Sequence, residues 1–279
     1  MRSKRIGLSG TAIKTIALLL MVIDHVYYFF NFTGVVPTWY NMLGRLSAPL
    51  FLFCTVEGFA HTHNRRRYFL RLWAIAAGMG SLSALMAFDG LLRRPDGLFP
   101  TNGIFSNFVI LCSIWQGIDW MRQGKRLAGT CAIAGPWIWG LLVFLLSMIP
   151  GVSNPILYLG CSLLPAWTCI IDGGFVYIVG GTLLYLFRDK RKTQLVSWAL
   201  WIFCTEFLAV WLGYGAVSGV PLMQMFTRNY QWFSIAAVAV MALYNGRRGA
   251  SCKQLFYWFY PLHIYALYAL SWALLIILR

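Results

Sequence analysis

The chain has 279 residues, of which 59% are hydrophobic and only 11% are charged, with a formal net charge of +15. This composition excludes an ordinary soluble domain, because apolar runs long enough to cross a bilayer recur along the whole chain. It predicts an all-α, polytopic integral membrane helix bundle. No linker rich in Pro, Gly or Ser divides the chain, so residues 1–279 are expected to form a single transmembrane domain.

The positions of the positive charges argue against a nucleic-acid partner. The basic residues form short clusters between the apolar runs, at 2–5, 65–71, 122–126, 188–192 and 247–253. This is the positive-inside pattern of membrane proteins, in which such clusters face the cytoplasm and contact anionic lipids. It predicts a multi-pass protein with a cytoplasmic N-terminus and membrane lipids as partners.

Hydropathy and charge together predict about nine transmembrane helices, within a range of eight to ten. A further apolar segment at 154–171 is broken by Pro155 and Pro165, and a full crossing there would place the 188–192 cluster on the wrong side. We therefore expect this segment to be re-entrant or interfacial. The nine spans are expected at 12–31, 41–62, 68–88, 102–121, 127–149, 172–187, 194–214, 230–244 and 254–277.

The first span contains an ionisable pair, Asp24 and His25. Such residues are costly inside a bilayer, and they indicate a functional site by default. Lys14 precedes His25 by eleven positions, which is close to three full turns, so the two side chains are expected on one helix face roughly 16 Å apart. One face of this helix would then carry a cation near one membrane surface and an imidazole at depth.

Further ionisable residues lie in the other spans. Arg45 is expected at the depth of Asp24 and could pair with it, either as a purely structural ion pair or as part of a reaction site. Glu57 is either an interfacial acid solvated by basic neighbours or a functional group, and Asp172 and Glu206 are either isolated polar residues or parts of a proton relay.

A second deep histidine, His263, follows Pro261 in the last span. It is either a packing histidine or, together with His25, part of a catalytic site, because imidazole is well suited to proton transfer near neutral pH. His61 and His63 lie two residues apart and point to different helix faces. With no Cys or His cluster beside them, no metal site is expected.

Four long stretches of the chain resemble the TraX family of membrane proteins. They are L-S-G-T-A-I-K-T-I-A-L-L-L-M-V-I-D-H from Leu8, G-R-L-S-A-P-L-F-L-F-C-T-V-E-G-F-A-H-T-H-N-R-R-R from Gly44, Y-N-G-R-R-G from Tyr244 and L-F-Y-W-F-Y-P-L-H from Leu255. A weaker match begins at Asp172, and 89–171 matches poorly. The resemblance implies a relative of the conjugative-pilin N-acetylation protein in the bacterial inner membrane.

The basic residue, ten residues and histidine of the first span are also similar to a signature of the transmembrane acyltransferase superfamily. This resemblance implies an acyltransferase-like domain that moves an acetyl group from cytoplasmic acetyl-CoA to an amine or hydroxyl acceptor, such as a pilin or another envelope molecule. The expected phosphate-binding residues for the donor are Lys14, Arg65, Arg66, Arg67 and Arg71.

Within this hypothesis His25 is the general base, and Asp24 or a partner acid sets its tautomer. Arg45 either stabilises an oxyanion or holds Asp24. Direct transfer and a covalent acetyl-imidazole on His25 or His263 remain alternatives. Competing functions are a proton-coupled transporter or flippase, which would use the acids and histidines as a relay, and a non-catalytic pilus or conjugation assembly factor.

Overall fold

The computed structural model describes residues 7–89, 92–101, 103–152, 154–169, 172–215, 219, 221–250 and 253–278. Within these ranges the chain is helical and contains no β-strand; Leu8 and Tyr244 form an isolated parallel bridge. The helices are α1 (Gly10–Phe30), α2 (Trp39–Gly44), α3 (Ser47–Ala60), α4 (Arg65–Asp89), α5 (Ile104–Arg122), α6 (Arg126–Ser147), α7 (Asn154–Leu163), α8 (Gly174–Leu186), α9 (Arg191–Ile202), α10 (Gln224–Thr227), α11 (Ala237–Ala242) and α12 (Lys253–Ile277).

The helices confirm the predicted membrane bundle. Among the described residues, seven helical segments are long and apolar enough to cross a bilayer, and two shorter apolar ones span Gly174–Leu186 and Tyr230–Ala242. Each of the nine predicted spans coincides with one of these segments within a few residues. The protein is an all-α, multi-pass membrane protein.

The contacts within the chain group into two compact units, residues 1–57 with 183–279 and residues 58–182. Each unit is described by itself below. The expectation of one domain over 1–279 stays a prediction.

In the first unit, α1 buries one stripe of side chains at every fourth position, formed by Ile13, Ala17, Met21, His25 and Phe29. Residues four apart lie on one face of a helix, which explains why a single stripe is enclosed. The first turns of α1 pack, through Ile13 and Ala17, into an apolar core with residues from α3, α9 and α11. These residues include Leu50, Phe53, Leu195 and Met241. His25 therefore belongs to the buried face of α1, whereas Asp24 lies about 100° to one side.

In the second unit, α5 is the most enclosed helix, with 13 of its 19 residues buried. It crosses α6 at two glycines, because a Cβ atom on Gly117 would lie 2.8 Å from the carbonyl oxygen of Gly129. Small residues at such crossings allow close helix packing in membranes. Next to this pair, α4 packs on α5, and α7 packs mainly on α4.

The segment predicted to be re-entrant does enter and leave the second unit on one side. Tyr158 of α7 packs on Phe88 near the end of α4, and Leu163 accepts a hydrogen bond from Trp73, four turns deeper. The chain then returns, and Asp172 accepts a hydrogen bond of 2.9 Å from the amide of Gly103, just before α5. Antiparallel helices place the end of α4 and the start of α5 on the same side, so the described ends of the segment lie on one side of this unit; the re-entrant or interfacial position in the membrane stays a prediction.

Two contacts fix the returning limb of this segment. The hydroxyl of Thr168 donates to the carbonyl oxygen of Gly140 in α6, and Cys161 is disulfide-bonded to Cys169. Broken backbone at membrane depth is tolerated where protein covers it. The second unit provides this cover through α4 and α6.

Candidate active site

The two deep histidines of the first unit are hydrogen-bonded to each other. Nδ1 of His25 lies 2.8 Å from Nε2 of His263, and the two rings are 5% and 8% exposed. The residues are 238 positions apart in the chain, on α1 and α12. The structure therefore brings together the two histidines that the sequence analysis proposed for one catalytic site.

The hydrogen bonds around the pair determine which nitrogen carries each proton. Nδ1 of His263 lies 2.8 Å from the carbonyl oxygen of Phe259, which can only accept, so this nitrogen is the donor. In the neutral ring Nε2 of His263 is then an acceptor, and Nδ1 of His25 must donate to it. It follows that the lone pair of neutral His25 is on Nε2, the nitrogen that can take a proton or attack a carbonyl carbon.

Packing also holds the ring of His263 in place. Phe259 stacks on it with the two planes 12° apart, one turn earlier in α12. Pro261 lies between them inside the continuous helix, where it cannot donate a backbone hydrogen bond. The orientation of His263, and through it that of His25, is thus set by α12 itself.

Lys14 and His25 face the same helix, as the spacing predicted. Nζ of Lys14 lies 5.8 Å from the ring centre of Phe256, and His25 contacts His263 two turns further along α12. The contact between α1 and α12 therefore carries a lysine over an aromatic ring at one end and the pair of imidazole rings deeper in the bundle. We call the end of the first unit at which α1 starts the Lys14 end.

Asp24 and Arg45 form the predicted ion pair. Oδ1 of Asp24 lies 2.7 Å from Nη2 of Arg45, and each side chain is 21% exposed. Gly44 makes the close approach of α2 possible, since a Cβ atom there would lie 2.3 Å from Asp24. Of the two roles predicted for Arg45, this geometry corresponds to holding Asp24.

Three neutral side chains complete this network. Asn41 donates to Oδ1 of Asp24 over 2.7 Å and accepts from the hydroxyl of Tyr230 over 2.7 Å. Arg45 donates from Nε to the carbonyl oxygen of Asn41 and from Nη1 to Oε1 of Gln231, at 3.1 and 3.0 Å. The sequence analysis missed these three residues, because neutral polar residues near span ends are ordinary at a membrane interface. The one available signal was the i, i+4 spacing of Asn41 and Arg45.

Glu57 belongs to a second polar network, in which Arg191 is a basic partner. Nη2 of Arg191 donates to Glu57 over 3.1 Å, and Tyr244 is hydrogen-bonded to the same carboxylate. The guanidinium of Arg191 also lies over the rings of Phe53 and Tyr244, at 4.7 and 5.1 Å. The sequence analysis did not anticipate this arginine, which belongs to the 188–192 cluster rather than to the neighbouring 65–71 cluster.

The Y-N-G-R-R-G stretch closes the start of α1. The amides of Gly10 and Thr11 donate to the carbonyl oxygens of Arg247 and Arg248, over 2.8 and 2.9 Å, and the side chain of Ser9 caps the helix. The backbone donors of the first turn are thereby satisfied, while the side chains of both arginines remain exposed. This backbone contact places two exposed arginine side chains at the Lys14 end.

The four arginines predicted to bind phosphate belong to the second unit, and Lys14 belongs to the first. Arg65 donates to Asp119 over 2.7 Å and to Gln116 over 3.0 Å, so its charge is already compensated. The other three are exposed on the first two turns of α4, and they are Arg66, Arg67 and Arg71.

The remaining acidic candidates lie apart from the histidine pair in their contacts. Asp172 caps the start of α5 in the second unit. Glu206 is half-buried where α9 continues into the π-helical turn Phe203–Leu208, and no hydrogen bond or ion pair joins it to another described residue. Within the described chain, no three His, Cys, Asp or Glu side chains are grouped as metal ligands would be.

The sequence of the chain was compared with known protein families and proteins. A family model described as TraX protein matches residues 9–271. The chain belongs to the TraX family. The TraX match runs from the start of α1 into α12, and it includes both histidines and the Asp24 network. It also includes the central stretch 89–171, whose sequence motifs resemble the family poorly.

One curated relative has a descriptive name. The chain is 24% identical to the probable fimbrial assembly protein FimC, serogroup H1, of Dichelobacter nodosus, over 94% of this chain and 95% of that protein. No solved structure matches the chain.

Proposed function

We propose that this protein is an integral membrane acetyltransferase that transfers an acetyl group from acetyl-CoA to an amine or hydroxyl acceptor, and that it acts in pilus or conjugation-associated assembly. The observation that carries the proposal is the buried His25–His263 hydrogen bond, which leaves Nε2 of His25 as the basic nitrogen. Membership of the TraX family and the fimbrial assembly name of the relative support the pilus context.

The proposed reaction uses His25 as the general base. Nε2 takes the proton from the acceptor N–H or O–H as its nitrogen or oxygen attacks the acetyl carbonyl carbon. The carbon–sulfur bond of the thioester then breaks, and the CoA thiolate leaves with the proton. His263 accepts from Nδ1 of His25 throughout, which stabilises the imidazolium that forms in between.

The donor is proposed to enter at the Lys14 end. Lys14 offers an ammonium group there, and the exposed side chains of Arg247 and Arg248 offer two guanidinium groups anchored by their backbone contacts with α1. Phosphate groups are recognised by such cations. With a cytoplasmic N-terminus and a location in the inner membrane, this end would face the cytoplasmic supply of acetyl-CoA.

Radiolabelled acetyl-CoA and purified protein in proteoliposomes test the proposal. We expect label to move to envelope acceptors with the wild-type protein and with His63→Ala, which removes an exposed histidine outside the site. His25→Ala should lose transfer by about 10²- to 10⁴-fold, the usual contribution of a general base. Full activity of His25→Ala would refute the role of His25.

The name of the relative also favours a second function, that of a non-catalytic assembly factor. Acetyl-CoA would then have no specific site, and the melting temperature in detergent would not depend on it. A ligand at 100 times its Kd stabilises the folded state by about 2.7 kcal/mol, which such a measurement detects. Transport of a solute or lipid without release of CoA would instead favour a proton-coupled transporter or flippase. That function would use the acids as a relay, whereas Asp24 and Glu57 each bond an arginine of their own.

A further inference from the structure

A disulfide closes a short loop inside the second unit. Cys161, near the end of α7, is bonded to Cys169, eight positions further along the chain. Cys161 is buried in an apolar cluster with Val143 and Ala166, and Cys169 packs against the same cluster. The bond therefore joins α7 to the returning limb of the segment predicted to be re-entrant, and it does so in apolar surroundings.

The bond lies well inside the second unit. We call the end of this unit at which α4 ends and α5 begins its outer end, because the basic residues of α4 lie at the opposite end. Ser162, the neighbour of Cys161, packs on Gly80 of α4, where a Cβ atom would lie 3.0 Å from the Cβ of Ser162. Gly80 precedes the last residue of α4 by nine positions, which corresponds to roughly 14 Å of helix. Cys161 is thus separated from the outer end by more than two helical turns.

A small cavity connects the disulfide with the outer end. The cavity has a volume of about 50 Å³ and borders both Cys161 and Cys169. Its wall runs along α4 as far as Ala87 and includes Thr101 and Gly103, just before α5. Because each water molecule needs about 10–15 Å³, the cavity has room for roughly three to five. An oxidant or reductant of ordinary size does not fit.

The chemistry of disulfide formation constrains when this bond can form. A disulfide forms by attack of a thiolate on another disulfide, through a mixed-disulfide intermediate. Apolar surroundings disfavour the thiolate, and the narrow cavity excludes the second reactant. Oxidation of the two cysteines in the packed unit would therefore be very slow. It follows that the bond forms before the segment packs.

We propose that residues 154–169 are exposed on the outer side of the membrane during biogenesis, and that a disulfide-bearing oxidant in that compartment joins Cys161 to Cys169 before the segment packs into the second unit. Disulfides form in oxidising compartments, whereas the cytoplasm keeps thiols reduced. With the basic clusters in the cytoplasm, as the charge pattern predicts, the outer end faces the oxidising side.

The reaction is a thiol–disulfide exchange in two steps. The thiolate of one cysteine attacks the disulfide of the oxidant, forms a mixed disulfide and releases the first oxidant thiol. The thiolate of the other cysteine then attacks the sulfur of the first, which forms the bond and releases the second oxidant thiol. Two electrons and two protons pass from the cysteine thiols to the oxidant. The oxidant is either a protein dithiol oxidase or a small disulfide such as cystine.

Counting free thiols in newly made chains tests whether the bond forms in the cell. Spheroplasts synthesise a radiolabelled pulse of the protein, acid stops thiol exchange, and maleimide-polyethylene glycol labels the denatured chain with and without prior reduction. We expect reduction to add two adducts to the wild type and none to Cys161→Ser or Cys169→Ser. Cys131→Ser removes an exposed free cysteine of the same unit and should still gain two.

A membrane-impermeant phosphine reductant tests the side and the order. Present during the pulse, it should leave both thiols free, because it reaches the segment on the outer side. Added after folding, it should leave the bond intact, because the cavity excludes it. In the same folded sample, denaturing detergent should make the bond reducible at once.

Cells that lack dithiol oxidases of the outer compartment distinguish the two kinds of oxidant. Loss of the bond in these cells, restored by added cystine, would identify a protein oxidant. An unchanged bond that still requires the absence of phosphine would identify a small disulfide. Both results support exchange on the outer side.

Three results would overturn the proposal. Reduction that adds no adducts to the wild-type chain, or adds them only after purification in air, would show that no oxidant in the cell joins this pair. A bond that forms with the phosphine present throughout the pulse would place the oxidation on the other side of the membrane. Equally rapid reduction of the folded and the denatured protein would show that the segment stays open. None of these measurements involves acetyl-CoA, so their outcome is independent of the proposed acetyl transfer.

Discussion

Replacing His263 separates its role as an orienting residue from that of a simple packing residue. In His263→Gln, the side-chain amide oxygen can reach the place of Nε2 and accept the hydrogen bond from Nδ1 of His25. In His263→Asn, the shorter side chain cannot. The two variants differ by one methylene group, so they form a matched pair.

The expected magnitude follows from the burial of His25, which is 5% exposed. A buried donor left without its partner costs about 1–3 kcal/mol. In His263→Asn this cost falls on the Nδ1–H tautomer, so the proton shifts to Nε2, which then cannot act as a base. At about 1.4 kcal/mol for each factor of ten, kcat should fall roughly 5- to 150-fold.

Acetyl transfer in proteoliposomes measures this effect, and the acetyl-CoA dependence of the melting temperature shows that donor binding is intact. We expect His263→Gln to retain most of the activity and the KM for acetyl-CoA to stay constant in both variants. If His263→Asn keeps the wild-type kcat, or if His263→Gln loses as much activity as His263→Asn, the tautomer argument is wrong.

Three further predictions concern stability and pH. Asp24→Asn leaves its partly buried arginine partner without a counter-charge and should lower the free energy of unfolding by about 1–3 kcal/mol, between the values for exposed and buried pairs, as measured by denaturation in mixed micelles. Gly44→Ala forces a Cβ atom against Asp24 and should cost about 1–3 kcal/mol in the same assay. Gly135→Ala, with open space around it, should be neutral. Equal losses in the two variants would contradict the close packing. The hydrogen bonds from Arg94 hold the pKa of Asp96 below its ordinary value of 3.8. Its stabilising contribution is therefore present above that value and lost as the pH falls through the folded pKa. A melting-temperature difference between wild type and Asp96→Asn should begin to shrink near the ordinary value of 3.8 and vanish only below the folded pKa, and a difference that grows on acidification would contradict this sign.

The sequence predicted the spans and the ion pair well, because both depend on position along the membrane normal. Hydropathy located each apolar helix, and equal depth on adjacent spans was sufficient to pair Asp24 with Arg45. These features follow from hydropathy and from depth in the membrane, both of which can be read along the chain.

Contacts between distant spans could not be predicted in the same way. Depth alone does not determine which helix lies beside α1, so the hydrogen bond between His25 and His263 could not be derived from the sequence. For the same reason Glu57 was not expected to bond Arg191, which lies 134 residues further along the chain. Gln231 gave no signal, since a neutral side chain at a span end has no need of a buried partner.

The backbone contacts between the start of α1 and Arg247–Arg248 bear on the order of synthesis. The first helix leaves the ribosome with its first-turn amides unbonded, and their carbonyl partners follow about 240 residues later. Residues 58–182 are complete long before that point. Because domains generally fold as units during translation, the second unit can form early, while α1 must be retained in the membrane until the last span arrives. The histidine pair therefore cannot assemble before α12 has been made, and a chain that stops before α12 lacks His263 and with it the proposed site.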